Sequence, residues 1–186
     1  MSTTRNVAVL VGSLRKESFT RKVAKTLIAL APPALKLEIV EIGTLPFYNQ
    51  DLETENPPAE WVAFRDRIRP ADAVIFATPE YNRSVPAVLK NAIDVGSRPY
   101  GKSVFDKKPA GVVSVSPGAI GGFGANQHLR QSLVFLNMPP LQMPEAYIGR
   151  ADKLFDENGK LTNNSTREFL TKYLQAFAAW IERTKA

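Results

Sequence analysis

The stretch Val7-Ala8-Val9-Leu10-Val11-Gly12-Ser13-Leu14-Arg15-Lys16-Glu17-Ser18-Phe19-Thr20 joins two hydrophobic periodicities through one polar loop. Its five leading apolar residues, three of them valine, predict a strand buried on both faces. Beyond the loop, Ser18 is placed to cap a helix over residues 19–30, in which Val23, Ala24, Leu27 and Ile28 share one face and which Pro32 and Pro33 stop. A buried strand passing through a tight loop into an amphipathic helix is the opening unit of a parallel α/β sheet.

The same alternation continues along the chain. Further strands are predicted over 35–41, 73–78 and 110–115, with a weaker fifth at 146–148. A second helix is predicted over 59–69. A third should be capped by Ser84, with Pro86 in its first turn and Leu89, Ile93 and Val95 available for packing. A fourth should begin after the glycines of 121–124 and continue through Leu129, Leu133 and Leu136. The last is traced by Phe169, Leu170, Tyr173, Leu174, Phe177, Ala178 and Ile181, behind the polar run 163–166. No repeat, low-complexity tract or linker divides the chain, so residues 1–186 are expected to form one domain. The predicted fold class is α/β and flavodoxin-like: three layers, with a five-stranded parallel sheet in the order 2-1-3-4-5 and helices on both faces. In that order the loops leaving strands 1, 3 and 4 converge on one rim, at the topological switch point.

Composition removes several functions. A chain of 186 residues that is 44% hydrophobic suits one core. It has no cysteine and a single histidine, His128, which excludes disulfides, thiolate nucleophiles and multi-histidine metal sites. The formal charge of +6 raises anionic partners. Its one basic cluster, Arg15, Lys16, Arg21, Lys22 and Lys25, has no interleaved aromatics, so nucleic acid is not expected to be a partner. The apolar run at 7–11 is too short for a signal segment, and no apolar stretch approaches the ~18 residues that span a bilayer. The expectation is a cytoplasmic protein that works away from membranes.

The three rim loops carry the functional reading. After strand 1, Ser13, Ser18, Thr20, Arg15 and the free N–H groups of a helix N-terminus make an anion site suited to phosphate; the plainer alternative is an N-cap beside a solvated arginine. The loop fits neither the P-loop spacing nor the three-glycine dinucleotide fingerprint, and Glu41 at the end of strand 2 reads as a surface carboxylate. After strand 3, residues 78–86 hold two prolines that fix the backbone, and Pro79 and Tyr81 offer a wall for a flat heterocycle. A cap and turn with incidental polar residues is the alternative. After strand 4, four glycines among residues 118–124 allow close approach of backbone to a ligand.

Three motifs together resemble the NADPH-dependent FMN reductase family, and within it the bacterial chromate and quinone reductases. They are Gly12-Ser13-Leu14-Arg15 to Ser18; Pro79-Glu80-Tyr81-Asn82-Arg83-Ser84-Val85-Pro86 with Leu89-Lys90-Asn91 and Asp94; and the run 116–122. The likeness extends through His128-Leu129-Arg130-Gln131 and Met143-Pro144-Glu145, and so spans nearly the whole chain. It implies bound FMN, with Ser13, Arg15, Ser18, Phe19 and Thr20 on the phosphate. Pro79, Glu80, Tyr81, Asn82 and Arg83 would line the isoalloxazine ring, and Ser116 and Gly118 would close the other side. Thr20 stands where many relatives have asparagine, and Ala87 where many have glycine.

The resemblance also implies a reaction: NADH or NADPH delivers hydride through FMN to a quinone, chromate or similar small acceptor in a ping-pong cycle. No side chain need act as acid or base, because the chemistry belongs to the cofactor. Arg83 and Arg98 are candidates for attracting an anionic substrate, or else solvated surface arginines. Homodimers or homotetramers are implied, with Tyr100, Phe123, Arg130 or Glu145 reaching a neighbour; the apolar run 133–138 serves such contacts or simply the core. The rival reading is a flavodoxin-type electron carrier or flavin-binding regulator, against which the basic charge argues. A phosphate-binding hydrolase lacks a nucleophile and metal ligands.

Overall fold

Every residue of β3 (Ala73–Thr78) and of β4 (Ala110–Val115) is buried, as a central strand covered on both faces requires. The computed structural model describes residues 3–184. β3 and β4 pair in parallel with each other, β1 (Arg5–Val11) lies beside β3, and β2 (Leu35–Val40) and β5 (Ala146–Ile148) form the edges. The order is β2-β1-β3-β4-β5, all parallel, as the alternating pattern predicts.

Alternation along the strands divides the core into two layers. Val7, Val9, Val11, Ala73, Ile75 and Ala77 face α1 (Phe19–Leu30) and α5 (Asn164–Thr184). Ala8, Leu10, Val74 and Phe76 face the other way, toward α2 (Ala59–Ile68), α3 (Ala87–Gly96) and α4 (Phe123–Phe135). Gly111 is forced by this packing, since a Cβ there would stand 2.6 Å from the Tyr173 hydroxyl of α5.

Two helix starts differ from the sequence reading. α3 is preceded by Pro86 as N-cap and has no side-chain cap; Ser84 is instead held in a two-residue hairpin, where it exchanges backbone hydrogen bonds with Tyr81 at 2.9 and 3.2 Å. The cause is local: Asn82 and Arg83 both have positive φ, 50° and 63°, which makes the pair a reversed hairpin turn and spends Ser84 two residues before the N-cap. α4 starts at Phe123, inside the glycine run, with left-handed Gly122 (φ 76°) at the cap position. The cap foreseen at Ser18 is present, its Oγ accepting the Arg21 N–H at 3.1 Å.

Candidate active site

The three loops meet. A Cβ on Gly12 would lie 3.2 Å from the Pro79 ring and 3.1 Å from Leu89, so the loops after β1 and β3 touch where glycine leaves room. A Cβ on Gly122 would lie 3.5 Å from the Glu80 side chain, and one on Gly124 would lie 3.0 Å from the Arg83 carbonyl oxygen, so the loops after β3 and β4 touch as well.

At one end of this rim stands the anion cradle. Ser13, Ser18 and Thr20 are buried, at 4%, 3% and 2% exposure. Ser18 is engaged as a cap acceptor, which leaves its hydroxyl hydrogen for another partner. Ser13 and Thr20 have no side-chain hydrogen bond among the described residues, and neither do the Phe19 and Thr20 N–H groups of the first helical turn. Among the described residues no buried side-chain oxygen or nitrogen lacks a partner, so these unpaired hydroxyls open onto the rim, and a cluster of free donors at a helix N-terminus fits a phosphate. Arg15 is exposed and forms no ion pair with the described residues. Phe19 is half-buried against the α1 and α5 layer, with the Lys22 ammonium 5.8 Å from its ring centre, and contributes backbone to the cradle.

The other two loops form the walls. Pro79 is half-buried, while Tyr81, Asn82 and Arg83 are exposed on the hairpin turn. The Glu80 carboxylate turns inward, accepting the Ala125 N–H at 3.0 Å and the Arg83 guanidinium at 3.1 Å, so it ties the two walls together. Ser116 Oγ accepts the Gly118 N–H at 3.0 Å, so of that pair the Ser116 hydroxyl hydrogen is the donor left for a ligand. Glu41 is a surface carboxylate held by two hydrogen bonds from Arg21, at 2.7 and 2.6 Å, and that guanidinium draws its pKa below the ordinary value.

Arg98 does not join the rim. α3 carries the chain back toward the start of β4, and Arg98 sits with Arg65, Arg69 and Lys102 around a hollow of about 370 Å³ at the other end of the sheet. Two features of the rim escaped the sequence reading. Ser84 Oγ is 2.8 Å from His128 Nδ1, which pins the hairpin to α4. Arg150 stands two residues past the end of β5, and its N–H donates to the Gly118 carbonyl at 3.2 Å; the pair Gly149-Arg150 after a strand end was its only signal. Beside it, Gln127 Nε2 donates to Glu145 at 3.1 Å and to the Tyr147 hydroxyl at 2.6 Å, while burial and then the Glu145 carboxylate push the Tyr147 phenol up. No group of metal-ligating side chains exists among the described residues, and no described helix is long and apolar enough to cross a membrane.

The known proteins this chain is similar to include reductases. A quinone reductase of Pseudomonas putida is 63% identical over 186 residues, covering all of both chains. A 2-hydroxy-1,4-benzoquinone reductase of a Burkholderia species is 42% identical over 175 residues, 94% of this chain and 95% of that protein. The solved flavoenzyme NAD(P)H:(acceptor) oxidoreductase of Paracoccus denitrificans superposes with a TM-score of 0.90 at 42% identity, over 97% of this chain and 99% of its own. The profile of the NADPH-dependent FMN reductases matches residues 5–153. With the fold, the rim and these relatives in agreement, the chain belongs to the NADPH-dependent FMN reductase family, and it is an oxidoreductase.

Proposed function

We propose that this chain binds FMN at the rim and uses it to reduce quinones, with chromate and similar small oxidants as further acceptors, at the expense of NADH or NADPH in a ping-pong cycle. The observation that carries the reading is the pair of hydroxyls on the largely buried Ser13 and Thr20, which open to the rim without internal partners beside two idle N–H groups. A phosphate there accepts from both hydroxyls, from Ser18 and from the Phe19 and Thr20 N–H groups, while Arg15 adds charge. Pro79, Glu80, Tyr81 and Asn82 line the ring from one wall, with Arg83 at its edge, and Ser116 and Gly118 from the other. FMN held there would supply the hydride and electron chemistry between nicotinamide and acceptor, which the side chains themselves do not provide. The protein's part is to hold the walls at fixed separation through Glu80, and to offer the Ser116 hydroxyl to the polar edge of the ring.

The same reading places the enzyme in the cytoplasm as a homodimer or homotetramer. Val134, Phe135 and Met143 are 74%, 76% and 72% exposed, and Phe123 is 50% exposed, an apolar run along and beside α4 that a second copy would cover. Light scattering at micromolar concentration should give twice or four times the chain mass; a monomer removes this part.

The main test is direct. Purified protein should be yellow and release FMN on denaturation. Anaerobic NADH or NADPH should bleach it, and a benzoquinone should restore the colour, with parallel lines in double-reciprocal plots. FMN-loaded protein that neither nucleotide bleaches would overturn the reading, and accumulation of a stable one-electron form would favour an electron carrier.

A further inference from the structure

A second hollow adjoins the rim, on the outer side of the loop after β4. It has a volume of about 380 Å³ and lies between that loop, the end of β5 and the first turn of α5. Ala119, Tyr147, Ile148, Arg150, Thr166 and Phe169 contribute to its lining. This size and mixed lining suit a small-molecule site.

Arg150 is its distinctive member. Its φ is +51°, a left-handed conformation that a long side chain rarely takes, and it is held there from three sides. Its N–H donates to the Gly118 carbonyl at 3.2 Å, the Ala151 N–H donates to the Ser116 carbonyl at 3.1 Å, and a Cβ on the preceding Gly149 would fall 2.3 Å from the Ala119 carbonyl oxygen. The exposed guanidinium forms no ion pair with any described residue. One carboxylate, Glu145, also borders the hollow, but it accepts from Gln127 and has Arg130 Nε at 4.0 Å, so its charge is met from α4. A guanidinium without an ion pair among the described residues, carried on a backbone fixed to Gly118, thus borders this hollow beside a phenyl ring.

The other basic hollows lack this combination. The one against α1 includes Arg21 and Lys22, already paired with Glu41 and Glu17, and is lined by Glu17 and Glu157. The one at Arg98 lies at the far end of the sheet.

We propose that this hollow receives the adenosine half of NADPH, with Arg150 on the 2′-phosphate and Phe169 against the purine, so that Arg150 sets a preference for NADPH over NADH. An unpaired guanidinium is the group that accommodates a ribose 2′-phosphate, and a flat base gains from an aromatic neighbour. The proposal rests on the redox reading above and adds to it the nucleotide's own seat.

The test uses the FMN-loaded enzyme and a probe that cannot react. Adenosine 2′,5′-bisphosphate should bind and compete with NADPH, and 5′-AMP should bind at least ~10-fold more weakly, the scale of one charge-assisted contact. Arg150→Asn, chosen because asparagine tolerates a positive φ, should weaken the bisphosphate by a similar factor and lower the NADPH-to-NADH ratio of kcat/KM. Arg150→Lys, which keeps the charge, should restore part of both. Phe169→Ala should weaken bisphosphate and 5′-AMP alike. Equal binding of the two probes, or an unchanged ratio in a folded Arg150→Asn enzyme, overturns the proposal while leaving flavin bleaching by nucleotide intact. Absence of bleaching in the unsubstituted enzyme would instead remove the redox reading beneath it.

Discussion

The Glu80 carboxylate accepts the backbone N–H of Ala125 at 3.0 Å, from 45 residues upstream. α4 starts behind Gly122, which has no side chain with which to cap it, so the wall after β3 supplies the cap for the wall after β4. Capping groups of this kind contribute roughly 0.5–2 kcal/mol. Glu80→Ala should therefore destabilise the apoprotein by about 1–2 kcal/mol in urea and weaken FMN binding. Glu80→Gln, which keeps an acceptor oxygen, should lose less of both. An alanine variant as stable as the parent would show that the contact carries no weight.

Ser13 and Thr20 should behave in the opposite manner. Their hydroxyls bond to nothing in the described chain, so Ser13→Ala and Thr20→Val remove no internal hydrogen bond, and the urea midpoint of the apoprotein should stay within about 0.5 kcal/mol of the parent. A hydrogen bond to a charged group contributes roughly 1.5–3 kcal/mol, so each substitution should raise the Kd for FMN about 10-fold or more, read by quenching of flavin fluorescence. Loss of stability without loss of FMN affinity would make these two residues structural.

Much of this arrangement could be read before any coordinates. The valine-rich run at 7–11, the buried strands at 73–78 and 110–115 and the alternating helices are signals of period and length, and period survives folding because it is what packs. Ser18 was legible as a cap because its side chain acts on its own backbone three residues on. Ser84 was not, because the conformation of Asn82 and Arg83 decides its role, and two consecutive left-handed residues without glycine leave no strong local mark. Arg98, read either as an anion-attracting candidate or as a surface arginine, lies away from the rim for a topological reason, since α3 reverses the chain and separates residues close in sequence to the rim from the rim itself. Arg150 joins it through a hydrogen bond to Gly118, a partner that sequence spacing does not reveal.

Tyr173 gives the molecule an alkaline weakness. It is wholly buried, and burial pushes its phenol up from the ordinary value of 10.0, while the hydroxyl reaches only a 3.4 Å contact with the Val112 carbonyl. In the window above that ordinary value the folded protein keeps a proton that the unfolded chain gives up. Stability is then fully present below the unfolded pKa and declines as pH rises toward the folded one. Tyr173→Phe keeps the ring between the sheet and α5, so it should change stability little at pH 7 and flatten the decline above pH 10. Equal slopes for the two proteins in urea titrations at pH 9 to 11 would assign the alkaline loss elsewhere.

Gly121 and Gly101 share a positive φ, 62° and 79°, yet their surroundings predict different outcomes for alanine. A Cβ at Gly101 meets nothing within 4 Å, so Gly101→Ala should cost only the left-handed penalty, about 1–2 kcal/mol, and leave FMN affinity alone. A Cβ at Gly121 would stand 2.6 Å from the Tyr147 carbonyl carbon and 2.9 Å from the Ile148 nitrogen, both backbone atoms of β5 that cannot swing aside. Gly121→Ala must therefore push the loop after β4 away from the sheet, at a cost above that of Gly101→Ala by roughly 1–3 kcal/mol, the range for overpacking. Because the same loop carries Ser116 and Gly118, its FMN affinity should fall as well. Urea unfolding and FMN titration of the two variants side by side separate backbone strain from steric crowding, and equal losses would mean that the loop and β5 do not approach as closely as these distances require.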